Sequence, residues 1–400
     1  MGVALRDHSA GDAPSRAPRS LLLDRVVVYE DFAAAEPAWR RLESAHAHAT
    51  PYQRYEWAKL WHEHVSRHES ATPLIVVGLD GYASPLFLWP FVRDRMGSIT
   101  TARYLGRQHS NLNAGIWRRD IAKQLSAEDL RRVFGTVACA HGIDLFVLCN
   151  QPMQVGAIDN PLALLPHQRS PDDVHSRNFG GRTGEQALKQ CLNAAMRGRL
   201  RTKERKFSQL ADYRYARAAT AAEADRFFDA FLAQKGAHLS GQGIDNVFAD
   251  SNLRSFLRAA CHEGLAAGRP VIELHALEGG GEVIAVFGGV NDGRRVSCMF
   301  NSYTLGDNKR WSPGLILLTH LVRYCADNHV ATLDLGIGHA RYKTFFCNRP
   351  ERLFDTLLAF SPRGRLAALL LRVKQTLKRW IKATPPLWNA FQATRRRLRG

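Results

Sequence analysis

Apolar and polar positions along the chain trace the same order of elements twice. After a polar leader, "RVVVYED" alternates as a strand, and "FAAAEPAWRRLESAHA" and "TPYQRYEWAKLWHEHVSRH" carry helical spacing, the latter through Tyr55, Trp57, Lys59 and Trp61. Three strand patterns follow, "PLIVVGLDG", "PLFLWPFVRD" and "ITTARYLGR", bounded by Gly, Pro and charged turns as antiparallel neighbours are. "SAEDLRRVFGTVACAHG" predicts a helix with Ser126 as N-cap, an acidic first turn and Gly142 at its end, and "IDLFVLCNQ" a buried strand.

The second half repeats this order. "EQALKQCLNAAMRGRLRTKERKFSQL" predicts a long basic helical stretch bent near Gly198, then "DYRYARAA" a strand. "TAAEADRFFDAFLAQKG" predicts a helix with a capping box at Thr220 and Glu223, closed by Gly236, and another helix follows. Three strands, "PVIELHALEG", "EVIAVFGGVND" and "RRVSCMFNSYT", are joined by glycine turns; a helix after "RWSPG" and the strand "ATLDLGIG" complete the set. The expectation is an α/β (α+β) chain of two tandem domains. Each has a mixed, mostly antiparallel sheet flanked by helices, over 21–182 and 183–360. Residues 1–20 form a disordered leader and 361–400 a basic amphipathic helical tail.

Composition adds a charge argument. The chain has 55 Lys and Arg against 37 Asp and Glu, a net +18. Residues 361–400 hold eleven of the cations and no acid, so the body is only mildly basic. Such a balance points to an anionic partner: nucleic acid, an acidic membrane surface or a phosphate-rich small molecule. Seven widely spaced cysteines without a C-x-x-C fit neither a disulfide framework nor a zinc site, and imply a reducing, cytoplasmic setting with no metal. The first twenty residues lack the apolar core of a signal peptide, and the longest strongly apolar segments are too short to span a bilayer.

Candidate chemistry lies near residues 310–343. In "RWSPG", Ser312 can cap the helix, Pro313 suits its first position, and Gly314 lets a ligand approach the backbone. A helix start is an anion seat, and Lys309 and Arg310 add cations before it. The competing reading is a well-capped structural helix. In "LDLGIGHARYKTFF", Asp334 is a carboxylate within a core strand, which needs a partner or a role. It either pairs with a cation such as Lys343 or takes part in chemistry.

Together these segments resemble the signature of GNAT-superfamily acyltransferases of the CelD type, the BioF-like acetyltransferases. Supporting elements are Thr50-Pro51-Tyr52-Gln53 with Glu56-Trp57, Tyr104-Leu105-Gly106 with His109-Ser110-Asn111-Leu112-Asn113, and Arg197, Arg201 and Arg205 on the basic helix. The resemblance spans roughly Arg25 to Asp355. It implies two GNAT-like domains in the Fem-type arrangement, the first degenerate and shaping the acceptor groove. It also implies acetyl-CoA or a longer acyl-CoA as donor, held by Arg310, Trp311, Ser312, Pro313, Gly314 and Leu315. Asp334 and His339 become candidate bases, Tyr342 a candidate acid, and Lys343 a phosphate or carbonyl contact. The sequence departs from the pattern at Gln234-Lys235, where many relatives carry Arg-Trp, and at His339, where an acid is usual.

The implied function is acyl transfer to an amine or hydroxyl of a small-molecule or saccharide acceptor, in polysaccharide or cell-envelope biosynthesis, with no specific nucleic acid as partner. Two other classes stay open: a Fem-type enzyme using aminoacyl-tRNA, and a non-catalytic partner in polysaccharide assembly. The tail "RLAALLLRVKQTLKRWIKATPP" has an apolar stripe flanked by cations. It reads either as an interfacial helix on the inner face of an anionic membrane or as a helix packed on the body with a solvated basic face.

Overall fold

A computed structural model describes residues 2–4, 23–43, 47–338 and 340–384. The chain forms two units: the described residues of Met1–Ser170 with Leu353–Lys374, and of Pro171–Arg352 with Gln375–Gly400.

In the first unit, strands Arg25–Tyr29 (β1), Thr72–Leu79 (β2), Pro85–Met96 (β3), Ile99–Tyr104 (β4) and Leu145–Pro152 (β5) are neighbours in that order, and Leu353–Ala359 continues the sheet beyond β5. All these pairings are antiparallel except β4 with β5. Helices Phe32–Leu42 (α1) and Tyr55–His64 (α2) lie between β1 and β2 in sequence. Ala127–His141 (α3) is the crossover that a parallel pair requires. Its start is the capping box expected: Ser126 accepts from the Asp129 amide, and Asp129 accepts from the Ser126 amide at 3.0 Å. Trp89 of β3 stacks on Phe134 of α3 at 4.5 Å, next to Phe91 and Phe146, so this core is aromatic and apolar.

The second unit contains Val174–Asn178 (β6), Gly184–Cys191 (α4), Ala194–Phe207 (α5), Arg214–Arg217 (β7), Ala221–Ser240 (α6) and Ser251–His262 (α7). Ile272–Gly279 (β8), Glu282–Asn291 (β9), Arg295–Tyr303 (β10), Pro313–Asp327 (α8) and Thr332–Ile337 (β11) follow. The sheet order is β7-β8-β9-β10-β11-β6, with Arg349–Glu351 beyond β6. Again one pair is parallel, β10 with β11, and a helix, α8, makes the crossover. The buried face of α8 comprises Ile316, Leu317, Leu318, Leu321, Val322 and Cys325. A bulge interrupts β9–β10 pairing at Gly288 and Gly289. A Cβ at Gly288 would lie 2.3 Å from the Phe300 ring, so glycine is required there.

This core includes a buried histidine. His275 is fully buried, with Tyr215 Oη 2.7 Å from its Nδ1, and burial pushes the imidazole down to about 4. Three local expectations are corrected. The basic stretch breaks at Leu192–Asn193, not near Gly198, because Leu192 is extended and Asn193 caps α5 by accepting from Met196. Helix α6 runs through Gly236 to Ser240. Ser312 does not cap α8 with its hydroxyl; it has left-handed backbone (φ 59°), and its Oγ accepts from Lys203 Nζ at 2.6 Å. All seven cysteines are free.

Candidate active site

The parallel pair β10–β11 is joined over only three residues, Arg295–Ser297 opposite Thr332–Asp334. Beyond Ser297 the strands part, and β10 runs on with one edge unpaired by β11. The Thr304 amide donates to Ile284, and β9–β10 pairing runs without a shift from Phe300 to Tyr303. Alternation along an antiparallel ladder therefore turns the amides of Asn301 and Tyr303 away from β9, into the fork.

A cavity of about 550 Å³ follows this edge. Asn301, Ser302 and Tyr303 of β10 line it, with Ser312, Pro313, Gly314 and Leu315 at the start of α8. Met196, Leu200 and Phe345 supply apolar wall. Four cations line it as well, Arg199 and Lys203 of α5, Lys309 and Arg341, and no carboxylate does among the described residues. Arg199 and Lys203 share a helix face by their spacing of four.

The start of α8 has no acid in its first turn. Pro313 has no amide hydrogen, and the amides of Leu315 and Ile316 turn back to the Ser312 carbonyl at 3.0 and 3.2 Å. The Gly314 amide is the one of this first turn left for an outside acceptor among the described residues. A Cβ at Gly314 would lie 3.4 Å from Tyr303, an ordinary contact, so the protein's own packing does not demand glycine. The anion seat is thus narrower in backbone amides than a freely capped helix offers, and richer in side-chain cations.

Of the residues singled out from sequence, the cavity brings together Lys309, Ser312, Pro313, Gly314, Leu315 and Tyr342. Tyr342 Oη accepts from Asn301 Nδ2 at 3.2 Å, and burial pushes its phenol well above the usual range. Arg310 stacks on Trp311, 5.0 Å from its centroid, in the turn Asp307–Trp311; neither lines the cavity. Asp334 is fully buried at the vertex of the fork, away from the lining. It accepts from Arg295 Nε and Nη2 at 3.1 and 2.9 Å, Ser297 Oγ at 2.7 Å and the Gly336 amide at 2.5 Å. Its cation is therefore Arg295. Lys343, also buried, spends three donors on the carbonyls of Gly336, Ile337 and Gly338 at 3.0, 2.8 and 3.1 Å, and burial pushes its pKa down. His339 lies outside the described residues.

Gln234 and Lys235 stand behind the same strand. Gln234 accepts from Ser302 Oγ at 2.8 Å and donates to the Val283 carbonyl at 2.6 Å; Lys235 reaches the Asn301 carbonyl at 3.5 Å. Sequence reasoning missed Arg199, Lys203, Arg341, Asn301 and Tyr303. The repeat of cations at i and i+4 on a helix with few acids was a usable signal for the first two. Among the described residues, no group of His, Cys, Asp and Glu is arranged to hold a metal ion.

Residues 194–344 match the family model described as an acetyltransferase (GNAT) domain. No curated protein matches the chain. The solved structure of FemX is similar at 9% identity and a TM-score of 0.58, covering 81% of this chain and 96% of FemX. A conserved protein of unknown function from Bacteroides thetaiotaomicron is similar at 10% identity and 0.53, covering 84% of this chain and 100% of its own. The architecture is therefore GNAT-like and Fem-like, two sheets of mixed strands flanked by helices, with the acetyltransferase-domain match spanning the cavity.

Proposed function

We propose that the second unit transfers an acyl group from a coenzyme A thioester directly to an amine, or a hydroxyl, of a small-molecule or saccharide acceptor. The observation that carries this reading is the open fork: an unpaired strand edge leading to a helix start ringed by cations. A diphosphate needs donors and positive charge without a neighbouring acid, which Arg199, Lys203, Lys309, Arg341 and the Gly314 amide supply. A pantetheine arm is an extended chain of amides and pairs with a strand edge; the amides of Asn301 and Tyr303 offer one. Met196, Leu200 and Phe345 suit an acyl chain. The finer CelD-type assignment, and a role in polysaccharide or envelope synthesis in the cytoplasm, rest on the sequence resemblance.

When bound, the thioester supplies the activated acyl carbon. An amide of the β10 edge polarises the acyl oxygen as negative charge develops there. Tyr342 keeps its proton at neutral pH, because burial disfavours the phenolate, and so acts as a donor to the departing sulfur. Asn301 orients it. We assign proton acceptance from the attacking amine to His339, which stands where the resemblance places an acid, since Asp334 is held by Arg295. The acceptor nitrogen bonds to the acyl carbon, the carbon–sulfur bond breaks, and the proton lost by nitrogen is matched by the one Tyr342 gives.

The test is release of free thiol from acetyl-CoA and longer acyl-CoAs with a panel of amines, including amino sugars. Release is expected, and Gly314→Val should abolish it while leaving the unfolding midpoint near that of the parent. No release, together with no stabilisation by any acyl-CoA, overturns the reading. A second reading, an aminoacyl-tRNA donor, is favoured by the exposed Arg201, Arg205 and Lys206 on α5. Transfer that ribonuclease abolishes and that needs no coenzyme A would select it.

A further inference from the structure

We infer that the helix Pro362–Ala383 lies in the plane of an anionic membrane surface, with an apolar stripe turned into the lipid interface. The helix is fixed at its start by its small residues. Ser361 Oγ donates to Asp144, and the Gly364 amide donates to Ser361 Oγ at 3.0 Å. Gly364 sits so close that a Cβ would be 2.0 Å from the Asp144 carbonyl oxygen. Ala368 is buried with Ile99, Leu145 and Leu357. This docking face leaves the opposite one outward.

That outward face is apolar. Leu366, Leu370, Val373, Leu377 and Trp380 recur at three and four residues and are 51 to 62% exposed, so nothing among the described residues covers them. A soluble helix with its small face docked should present charge there instead. The cations stand at the edges of the stripe: at 100° per residue, Arg365 and Arg372 fall on one side of it and Arg363, Lys374 and Lys378 on the other. From Ser361 to the end of the chain there is no acid at all. An apolar centre between two rows of cations complements a surface whose interior is apolar and whose rim is anionic, as phospholipid head groups are. No helix among the described residues is long and apolar enough to cross a membrane, which leaves in-plane attachment.

Co-sedimentation of the full chain with vesicles of phosphatidylcholine, with and without phosphatidylglycerol, tests this. The parent should pellet with the anionic vesicles, remain in solution with neutral ones, and be released by high salt. Leu370→Ser with Val373→Ser removes apolar contact and keeps every charge; Arg365→Glu with Arg372→Glu does the reverse. Each pair should lower the pelleted fraction at least about fivefold without moving the unfolding midpoint or thiol release. The inference is overturned if the parent ignores anionic vesicles at low salt, binds neutral ones equally, or pellets unchanged in both variants. It is equally overturned if the lipid-free parent is a dimer that Leu370→Ser with Val373→Ser makes monomeric, since a second copy would then cover the stripe.

Discussion

The two units build the same fork and finish it differently. In the first, β4 and β5 are parallel over Thr101–Arg103 and Leu145–Val147, three residues, as β10 and β11 are in the second. Past that point Asn113 enters the first fork. Its amide donates to the Asn150 carbonyl at 2.9 Å and its Nδ2 to the Cys149 carbonyl at 3.0 Å, while Tyr104 Oη donates to Gln151 at 3.2 Å. The β5 side of that fork is used by the protein itself. In the second fork β10, the counterpart of β4, borders a cavity. The crossover helices differ in the same sense. Asp129 places a carboxylate on the start of α3, where a bound anion would sit; α8 has cations there and no acid. Shared topology thus yields one fork filled by Asn113 and one that opens on a cavity lined by cations.

The comparison can be broken first at the second vertex. Asp334→Asn removes one of the two carboxylates on Arg295 and leaves Glu351 at 3.1 Å, so the cost falls at the low end of the about 3–5 kcal/mol of a broken buried pair. Urea unfolding should show that loss. Unchanged stability with abolished transfer would instead make Asp334 a chemical group.

Next in size is a pH effect centred on the second unit, whose core contains His275. Its folded pKa lies at about 4, below the ordinary 6.5, so the unfolded chain binds the extra proton. Stability from this group is complete above pH 6.5 and declines as pH falls toward 4, by about 3 kcal/mol in all. Hydrogen exchange at pH 7 and pH 4.5 should show second-unit peptides losing protection, and His275→Phe should remove most of the difference.

Asn113→Ala opens the first fork. It should cost about 1 kcal/mol by removing the hydrogen bond from Asn113 Nδ2 to the Cys149 carbonyl, and create no affinity for coenzyme A, because α3 still offers a carboxylate. Smallest is the contrast of caps. Ser126→Ala should lower stability by about 1 kcal/mol, whereas Ser312→Ala, at a residue that caps nothing with its hydroxyl, should change it by less than about 0.5 kcal/mol, both read from thermal unfolding.

Much of this architecture was legible because its signals are local. Alternation marked the strands, and the Ser126 box and Gly142 marked both ends of α3. Ser-Pro-Gly marked the start of α8. What it could not disclose was long-range. The left-handed turn at Ser312 goes with a lysine 109 positions earlier that takes its hydroxyl. Asp334 finds its cation 39 positions back, across a parallel register that no periodicity announces, and Lys343 is turned inward by carbonyls at the end of β11. The tail's stripe was visible, but which face it turned outward depended on Gly364 meeting Asp144.

The central claim is that the start of α8, with its cations, grips a diphosphate. Calorimetric titration of coenzyme A into the parent and into Lys203→Glu with Lys309→Glu tests it directly. The account predicts saturable binding by the parent and at least about tenfold weaker binding by the variant, with adenosine alone binding far less than the whole coenzyme. Absence of binding to the parent, or equal affinity in the charge-reversed protein, would contradict it.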